Sequence, residues 1–424
     1  MKRPTPIRMR RAHRAVALVL LLASRPAFAA DFQVPLVWHV ESEDERTLSS
    51  READRLVNPA SVTKLATSLR ALETLGPDHR FVTTVGVTAS ASGKQAAGLV
   101  VQGGQDPDFQ FENAVLLAHA LVDAGVARVP GDLFVTDGFW LGWERGTAGR
   151  EPDEQKRRRQ MAARLRDAWS PSSWSAEEKA SWQETAGRHG WDPARPPAIA
   201  IGGELRTDAP PRWTPLVEHQ SGPLLATLRR FNVFSNNDIE RLDPSVGPAS
   251  GLDRFLADRF GPLAEGATFS TSSGLNANRM SPRLVVALVR ELRRWLEAHG
   301  HEPADLMPIL GCGTSTLSEL FPRLVDSGEA DGLAGKTGTL NTQDGGVSAL
   351  AGFLPTVPGQ FFFVAAPGAG DRLGKARAAE EDWVRQVLLG KAASREALQP
   401  LRCPKPVPTS DALAATRRLG KHGA

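Results

Sequence analysis

The sequence of 424 residues contains no tyrosine and only two cysteines, Cys312 and Cys403. The nine histidines are scattered, and no group of cysteines and histidines has the spacing of a zinc site. The apolar run at 15–23 is shorter than the roughly 20 residues that a membrane-spanning helix needs. We therefore expect no metal, no cofactor and at most a peripheral contact with a membrane.

The N-terminus has the pattern of a secretory signal. A basic stretch from Lys2 to Arg14 precedes the apolar run, and Ala27-Phe28-Ala29 follows as a small-residue cleavage site. We expect cleavage after Ala29 and a periplasmic location. The full chain has a net charge of +3, but residues 1–29 carry seven Lys and Arg and no acid, so the mature chain has a charge of −4. This charge does not favour a nucleic-acid partner. In an oxidising compartment Cys312 and Cys403 could pair or stay free, and the sequence leaves both open.

The segment 58–75 is predicted to be a helix that begins with a serine and a lysine three residues apart. Asn58 is a good N-cap and is followed by Pro59, and apolar residues recur at helical spacing. Ser61 and Lys64 then share one face. A serine hydroxyl becomes a nucleophile when a base takes its proton, and a lysine is such a base when its pKa is lowered. The alternative is a structural serine beside a solvated lysine.

The remaining pattern predicts an α/β (α+β) fold in which one domain is interrupted by another. Between 146 and 197 the composition is charged and rich in Trp, which is typical of helical hairpins on a surface. Beyond 390 the apolar periodicity is low, so we expect a loose tail. Strands are predicted at 34–40, 81–88, 98–102, 129–137, 334–340, 347–354 and 361–366, and further helices at 114–124, 224–231 and 282–298.

Two further motifs complete a set with Ser61 and Lys64. Ser235-Asn236-Asn237 and Lys336-Thr337-Gly338 follow in the order that is typical of penicillin-binding proteins and class A β-lactamases. In such chemistry Ser61 attacks a carbonyl carbon, Lys64 takes its proton, and Ser235 relays a proton to the leaving amine. Each residue also has a structural interpretation when taken alone, such as an N-cap for Ser235 and a solvated strand position for Lys336.

The other motif residues are predicted to bind substrate. Asn237 would hold a substrate amide, and Lys336, Thr337 and Gly338 would bind a terminal carboxylate along an edge strand. The backbone N–H groups of Ser61 and Thr339 would form an oxyanion hole. We expect a neutral Lys64, because Lys336 would be a nearby cation that lowers the pKa of Lys64.

Several stretches of the sequence resemble the D-alanyl-D-alanine carboxypeptidase/endopeptidase family, the class C low-molecular-mass penicillin-binding proteins. The resemblance implies a transpeptidase/β-lactamase-like domain (30–85 and 215–390), with an antiparallel sheet flanked by helices, an inserted domain (86–214) and a tail (391–424). It also implies a serine DD-peptidase that acts on peptidoglycan stem peptides and is inhibited by β-lactam antibiotics. The similar stretches are 58–77, 99–109, 129–137, 272–282, 334–340 and 347–353.

The sequence departs from that family in three places. Ser61 and Ser235 are 174 positions apart, which is short for the inserted domains of the family, so one insert is expected to be reduced or missing. The middle motif reads S-N-N where the family has S-D-N. The loop 341–346 is longer than usual beside the site.

Two alternatives use the same fold. A class C β-lactamase needs a tyrosine at the middle motif, and a class A enzyme needs a glutamate farther along the chain than Glu240. A catalytically impaired protein that binds peptidoglycan or senses β-lactams would be consistent with the short insert and the longer loop. Carboxypeptidase and endopeptidase reactions share one mechanism, and the sequence does not separate them.

Overall fold

The computed structural model describes residues 32–89, 96–208, 210, 212–356, 359–391 and 401–419. The predicted signal at 1–29 lies outside these residues. Within the described part of the chain, no helix has both the length and the apolar character needed to cross a membrane.

The described residues contain thirteen strands and eleven α-helices. The strands are β1 (Val37–Ser42), β2 (Thr47–Arg51), β3 (Val82–Ala89), β4 (Ala96–Gln102), β5 (Arg128–Val129), β6 (Leu133–Val135), β7 (Ala200–Ile201), β8 (Leu205–Arg206), β9 (Thr214–Gln220), β10 (Ala334–Leu340), β11 (Val347–Leu354), β12 (Gln360–Pro367) and β13 (Ala415–Arg418). The helices are α1 (Thr63–Leu75), α2 (Phe111–Asp123), α3 (Glu154–Ala168), α4 (Ala176–His189), α5 (Leu224–Val233), α6 (Asp243–Val246), α7 (Leu252–Phe260), α8 (Pro282–Ala298), α9 (Thr316–Leu320), α10 (Pro322–Ser327) and α11 (Leu373–Trp383).

The first sheet has five antiparallel strands in the order β10-β11-β12-β1-β2. Alternate residues of β12 point to opposite faces, and both sets are apolar and buried: Phe361 and Phe363 on one face, Phe362 and Val364 on the other. A strand that is buried on both faces therefore reads as a continuous apolar run. Helices α1 and α8 pack on one face, whereas α9, α10 and α11 pack on the other. Strand β10 is at the edge of this sheet.

The second sheet has six strands in the order β13-β9-β3-β4-β6-β8. Its apolar face packs against α2 and α3 through a separate cluster that includes Val85, Leu99, Leu117, Leu165 and Val217. The predicted insert at 86–214 begins inside β3 and ends at the first residue of β9. Both strands belong to this sheet, so the sheet extends beyond the predicted insert at both ends.

The prediction of a loose tail at 391–424 was wrong for its described part, 401–419. Strand β13 pairs with β9, and Cys403 forms a disulfide with Cys312. Asp411 is fully buried and lies 3.0 Å from Arg188. These contacts are polar, covalent or made by the backbone. Apolar periodicity does not report such contacts, which is why the pattern suggested a loose segment.

The predicted helix at 58–75 is divided in the structure. A short 3₁₀ turn, Ala60–Val62, precedes α1, and the side chain of Asn58 accepts a hydrogen bond from the Ala60 N–H at 2.9 Å. Ser61 therefore lies in the turn and Lys64 in the first turn of α1. By contrast, α8 has both predicted ends, with Ser281 as its N-cap and Pro282 in its first turn.

Candidate active site

The side chains of Ser61 and Lys64 are in direct contact. Lys64 has no solvent exposure, and its Nζ donates to Ser61 Oγ at 2.9 Å, to Asn237 Oδ1 at 2.8 Å and to the Ser273 carbonyl at 2.8 Å. Three acceptors match the three protons of an ammonium group. A neutral amine keeps two of these donated bonds and offers its lone pair to the third position. There the hydroxyl of Ser61 would donate to the nitrogen.

Burial lowers the pKa of Lys64 to about 7, while the charges of Glu240 and Asp238 oppose this change. A buried ammonium loses its hydration, so the neutral amine is favoured. The expected cause was the positive charge of Lys336. In the structure burial is the main cause for Lys64. The pKa of Lys336 is itself well below its ordinary value, first because of burial and second because of Lys64.

The second motif connects α5 to the 3₁₀ turn Asn237–Leu242. Ser235 has a φ of +52°, a left-handed conformation that is uncommon for a residue other than glycine. Ser235 is not the cap of the following turn, because Asn236 Oδ1 accepts from the Asp238 N–H at 2.8 Å. The N-cap role that was the structural alternative for Ser235 therefore belongs to Asn236. Strained backbone of this kind is concentrated at functional sites.

The third motif lies on β10 and faces the second motif. Lys336 has no solvent exposure, and its Nζ donates to Ser235 Oγ at 2.9 Å and to the Thr337 carbonyl at 2.8 Å. It is therefore not a solvated strand lysine. The Thr337 hydroxyl lies 3.1 Å from that of Thr316, and Thr339 accepts from Arg377 Nη2 at 3.3 Å.

Gly338 allows β10 to approach the turn that carries Ser61. A Cβ atom at Gly338 would lie 2.6 Å from the Pro59 carbonyl oxygen and 3.1 Å from the Ala60 Cβ. A Cβ atom does not approach a backbone oxygen to 2.6 Å, so glycine is required here for steric reasons. The structure thus brings together all three motifs: Ser61, Lys64, Ser235, Asn237, Lys336, Thr337, Gly338 and Thr339 lie around one site.

The sequence patterns missed several residues that hold this site together. The Ser273 carbonyl accepts from Lys64, and the Ser273 hydroxyl donates to Glu240. Glu240 also accepts from the Thr147 N–H, and Asp238 accepts from the N–H groups of Glu144 at 2.9 Å and Gly146 at 2.7 Å. The segment 272–282 carried a family resemblance but no role. No pattern in the sequence connected 144–147 with the second motif.

The loop 341–346 is hydrogen-bonded to residues beside the candidate site. Asp344 accepts two hydrogen bonds from Arg279, at 2.7 and 2.8 Å, and a third from Asn58. Asn58 in turn supports the turn that carries Ser61 through the Ala60 N–H. The loop is therefore part of the framework that positions the candidate nucleophile.

A serine in contact with a buried lysine, opposite a second serine held by another lysine, has the arrangement that serine–lysine acyl transfer requires. The chain belongs to the D-Ala-D-Ala carboxypeptidase 3 (S13) family, whose model matches residues 26–158 and 199–386. The unmatched residues 159–198 contain most of α3 and all of α4. The family predicted from the sequence is thereby confirmed.

Among relatives, the D-alanyl-D-alanine carboxypeptidase of Actinomadura sp. (strain R39) is 36% identical over 108 residues, which are 25% of this chain and 20% of that protein. The chain therefore matches about a fifth of the length of this curated relative.

Solved structures share the fold over most of the chain. The Bd0816 predatory endopeptidase from Bdellovibrio bacteriovorus, in complex with the immunity protein Bd3460, has a TM-score of 0.71 at 20% identity and covers 89% of this chain and 99% of its own. Bd3459, a predatory peptidoglycan endopeptidase from the same organism, has a TM-score of 0.71 at 19% identity, with coverages of 91% and 100%. Penicillin-binding protein 4 of Haemophilus influenzae has a TM-score of 0.57 at 16% identity, with coverages of 82% and 97%. These structures confirm the predicted fold class.

Proposed function

We propose that this protein is a periplasmic serine DD-peptidase that hydrolyses D-Ala-D-Ala ends, and D-Ala–meso-diaminopimelate cross-links, of peptidoglycan. The observation that carries the proposal is the buried Lys64 amine, 2.9 Å from Ser61 Oγ. Membership of the S13 family supports it, as do the relative that is a D-alanyl-D-alanine carboxypeptidase and the solved structure of a peptidoglycan endopeptidase with the same fold. The predicted signal at 1–29 supports a location outside the cytoplasmic membrane.

In the first half of the reaction, Ser61 Oγ bonds to the carbonyl carbon of the penultimate D-Ala while its proton passes to the neutral Lys64 amine. The N–H groups of Ser61 and Thr339 stabilise the oxyanion. The carbon–nitrogen bond then breaks. The Lys64 ammonium gives up this proton, and the Ser235 hydroxyl, which Lys336 holds at 2.9 Å, passes it to the leaving amine, so that Lys64 is neutral again. The products are an acyl-enzyme and a free D-amino acid or peptide.

In the second half, a water molecule gives one proton to the Lys64 amine and its hydroxide adds to the acyl carbon. The ester bond to Ser61 breaks, the Lys64 ammonium returns its proton to Ser61 Oγ, and the donor peptide leaves with a new carboxyl group that ionises in water. Asn237 holds the substrate amide in both halves. Lys336 and Thr337 bind the carboxylate of the terminal residue until that residue leaves. A bound carboxylate would raise the pKa of the buried Lys336 amine, because an opposite charge favours the ammonium form.

A fluorescent penicillin tests this proposal on the mature protein, since a β-lactam that mimics the D-Ala-D-Ala end would acylate the same serine. We expect stable labelling, no labelling of Ser61→Ala, and release of D-Ala from a pentapeptide. The control variant Ser50→Ala changes an exposed serine of β2 and should label like the wild type.

The other outcomes separate the alternatives. Rapid loss of label would favour a β-lactamase. Stable labelling without D-Ala release would favour a β-lactam sensor. Labelling that persists in Ser61→Ala would contradict the assignment of the nucleophile.

A further inference from the structure

A cavity of about 400 Å³ lies next to the candidate site. Its walls are the segment 307–315, the end of α5 and the tail segment 403–407. Two of its lining residues adjoin site residues in the chain: Phe234 precedes Ser235, and Ser315 precedes Thr316, whose hydroxyl lies 3.1 Å from that of Thr337. The cavity therefore lies beside the part of the site that contains Ser235 and Thr337.

The position of the cavity along β10 decides which part of a substrate it faces. The Gly335 N–H donates to the Pro308 carbonyl at 3.0 Å, and Ile309 forms a bridge with Ala334. The wall segment 307–315 thus adjoins the beginning of β10. In the proposed mechanism the acyl carbonyl lies at Thr339 and the terminal carboxylate lies nearer the beginning of the strand, at Lys336 and Thr337. The cavity is consequently on the leaving-group side.

The charges of the cavity favour an anionic occupant. Arg229 and Lys405 line it, and no Asp or Glu does. Among the described residues, neither of these two cations forms an ion pair with a carboxylate. The guanidinium of Arg229 donates to the Lys405 carbonyl at 2.6 Å, so both charges belong to one wall. Phe234, 40% exposed, adds an apolar surface at the side of Ser235.

The disulfide between Cys312 and Cys403 builds this wall. Both cysteines line the cavity, and their bond joins the tail to the segment that adjoins β10. Without this bond, the tail segment 403–407 would be covalently attached only through the preceding chain, which leads back to α11. A cavity wall held in this way is preorganised for a ligand.

We propose that this cavity is the subsite for the leaving strand of a cross-linked stem peptide, whose carboxylates bind Arg229 and Lys405. This inference rests on the proposed DD-peptidase function. When a linear pentapeptide is cleaved, the leaving group is a single D-alanine, which is held at Lys336 and Thr337 and leaves the cavity empty. When a cross-link is cleaved, the leaving group is a whole peptide with further free carboxylates. The cavity therefore favours the endopeptidase reaction.

The test compares two substrates on the same enzyme: a purified cross-linked muropeptide dimer and a linear pentapeptide. In Lys405→Glu we expect kcat/KM for the dimer to fall about tenfold, the loss expected for one charge-assisted contact, mainly through KM. Release of D-Ala from the pentapeptide should not change. Lys179→Glu is the matched control, because Lys179 is an exposed lysine of α4 that does not line the cavity.

A second variant, Thr314→Trp, fills the cavity from an exposed wall residue without changing charge. It should also reduce cleavage of the dimer and spare the pentapeptide. If both variants cleave the dimer at the wild-type rate, the cavity is not the leaving-strand subsite, whereas the proposed function stands. A wild-type protein that releases no D-Ala and takes up no penicillin would instead overturn the proposed function itself.

Discussion

At the residue scale, two opposing effects act on Lys64, because it is a lysine with no solvent exposure and three oxygen acceptors. Oxygen acceptors stabilise the ammonium form, and so do the charges of Asp238 and Glu240. Desolvation acts in the opposite direction and is the larger effect, which leaves a pKa of about 7. A base with a pKa near neutral pH combines a large neutral fraction with useful proton affinity. Lys336, which is equally buried, instead holds Ser235, and in the proposed mechanism it binds a substrate carboxylate.

The titration of Lys64 predicts how acylation depends on pH. Only the neutral amine accepts the Ser61 proton, so the rate of acylation by penicillin should fall about tenfold for each pH unit below 7 and level off above it. The measurement is the second-order rate of labelling between pH 5 and pH 9. Lys64→Arg should lose about 10²–10⁴-fold in rate, because the guanidinium stays protonated. A flat profile down to pH 5 would show that Lys64 is not the base.

At the scale of elements, the site depends on the close approach of β10 to the 3₁₀ turn Ala60–Val62. Gly338 makes this approach possible, and a second glycine, Gly274, does the same on the other side of the turn. Gly274 has a φ of +87°, and a Cβ there would lie 1.9 Å from the Ala60 carbonyl oxygen. The turn is therefore enclosed between two glycines from distant parts of the chain.

Gly338→Ala should separate β10 from the turn. The added methyl group would lie 2.6 Å from the Pro59 carbonyl oxygen, so we expect a loss of about 1–3 kcal/mol in the free energy of unfolding. Labelling by penicillin should also become slower by more than the loss of folded protein explains. Urea unfolding and labelling rates measure both effects. In the control Gly187→Ala, a Cβ in α4 meets nothing within 4 Å, and helix propensity should stabilise the protein by about 0.5–1 kcal/mol. Wild-type labelling by Gly338→Ala would contradict the steric argument.

The packing of α11 on β11 includes a buried carboxyl group. Glu380 has no exposure and accepts a hydrogen bond from Ser348 at 2.7 Å. Burial raises the pKa of Glu380 to about 8, against the partial opposition of that bond and of Arg377. Because its pKa is higher in the folded state, the stabilising proton is present at low pH. This contribution is lost as the pH rises from the ordinary value of 4.5 to about 8.

Glu380→Gln should remove this dependence on pH. The wild type should lose up to about 1.4 kcal/mol of unfolding free energy per pH unit in that window relative to the variant. Urea unfolding of both proteins at pH 5, 6.5 and 8 measures the difference. A difference that stays constant across the three pH values would show that Glu380 is ionised in the folded protein throughout.

At the scale of the whole molecule, the C-terminal residues connect the two sheets. The disulfide attaches Cys403 to the segment that adjoins β10 of the first sheet, and β13 extends the second sheet along β9. Between them, the Ser410 hydroxyl bonds to Asn113 of α2 at 2.9 Å, and Asp411 pairs with Arg188 of α4. The tail thus contributes both to stability and to the wall of the cavity.

Removal of the disulfide should destabilise the protein. The bond closes a loop with a sequence separation of 91, and loop-closure entropy for about 90–100 residues corresponds to roughly 4–5 kcal/mol as an upper value. The double variant Cys312→Ser with Cys403→Ser should unfold at lower urea, and its cleavage of cross-linked dimers should fall more than its release of D-Ala. Dithiothreitol should reproduce this effect on the wild type and leave the double variant unchanged. Equal stability of oxidised and reduced wild type would contradict it.

Short runs of sequence are sufficient to predict the local features of this protein. The three motifs could be identified because each is a short run of residues whose chemistry is local, and α8 could be placed from its N-cap and its apolar period. The strands of the first sheet were visible because burial on both faces makes them continuously apolar. The family that the motifs indicated was confirmed, while the catalytic roles of the motif residues remain predictions.

The contacts between distant groups are visible only in the folded protein. Lys64 and Asn237 are 173 positions apart, and Lys336 and Ser235 are 101 apart. No periodic pattern in the sequence predicts the role of the Ser273 carbonyl, the disulfide or the cavity at the beginning of β10. The pKa of Lys64 likewise depends on how completely the surrounding segments exclude water. The physical reason is the same in each case: local patterns report the preference of a segment for its own conformation, whereas desolvation and long-range contacts exist only after the segments have packed.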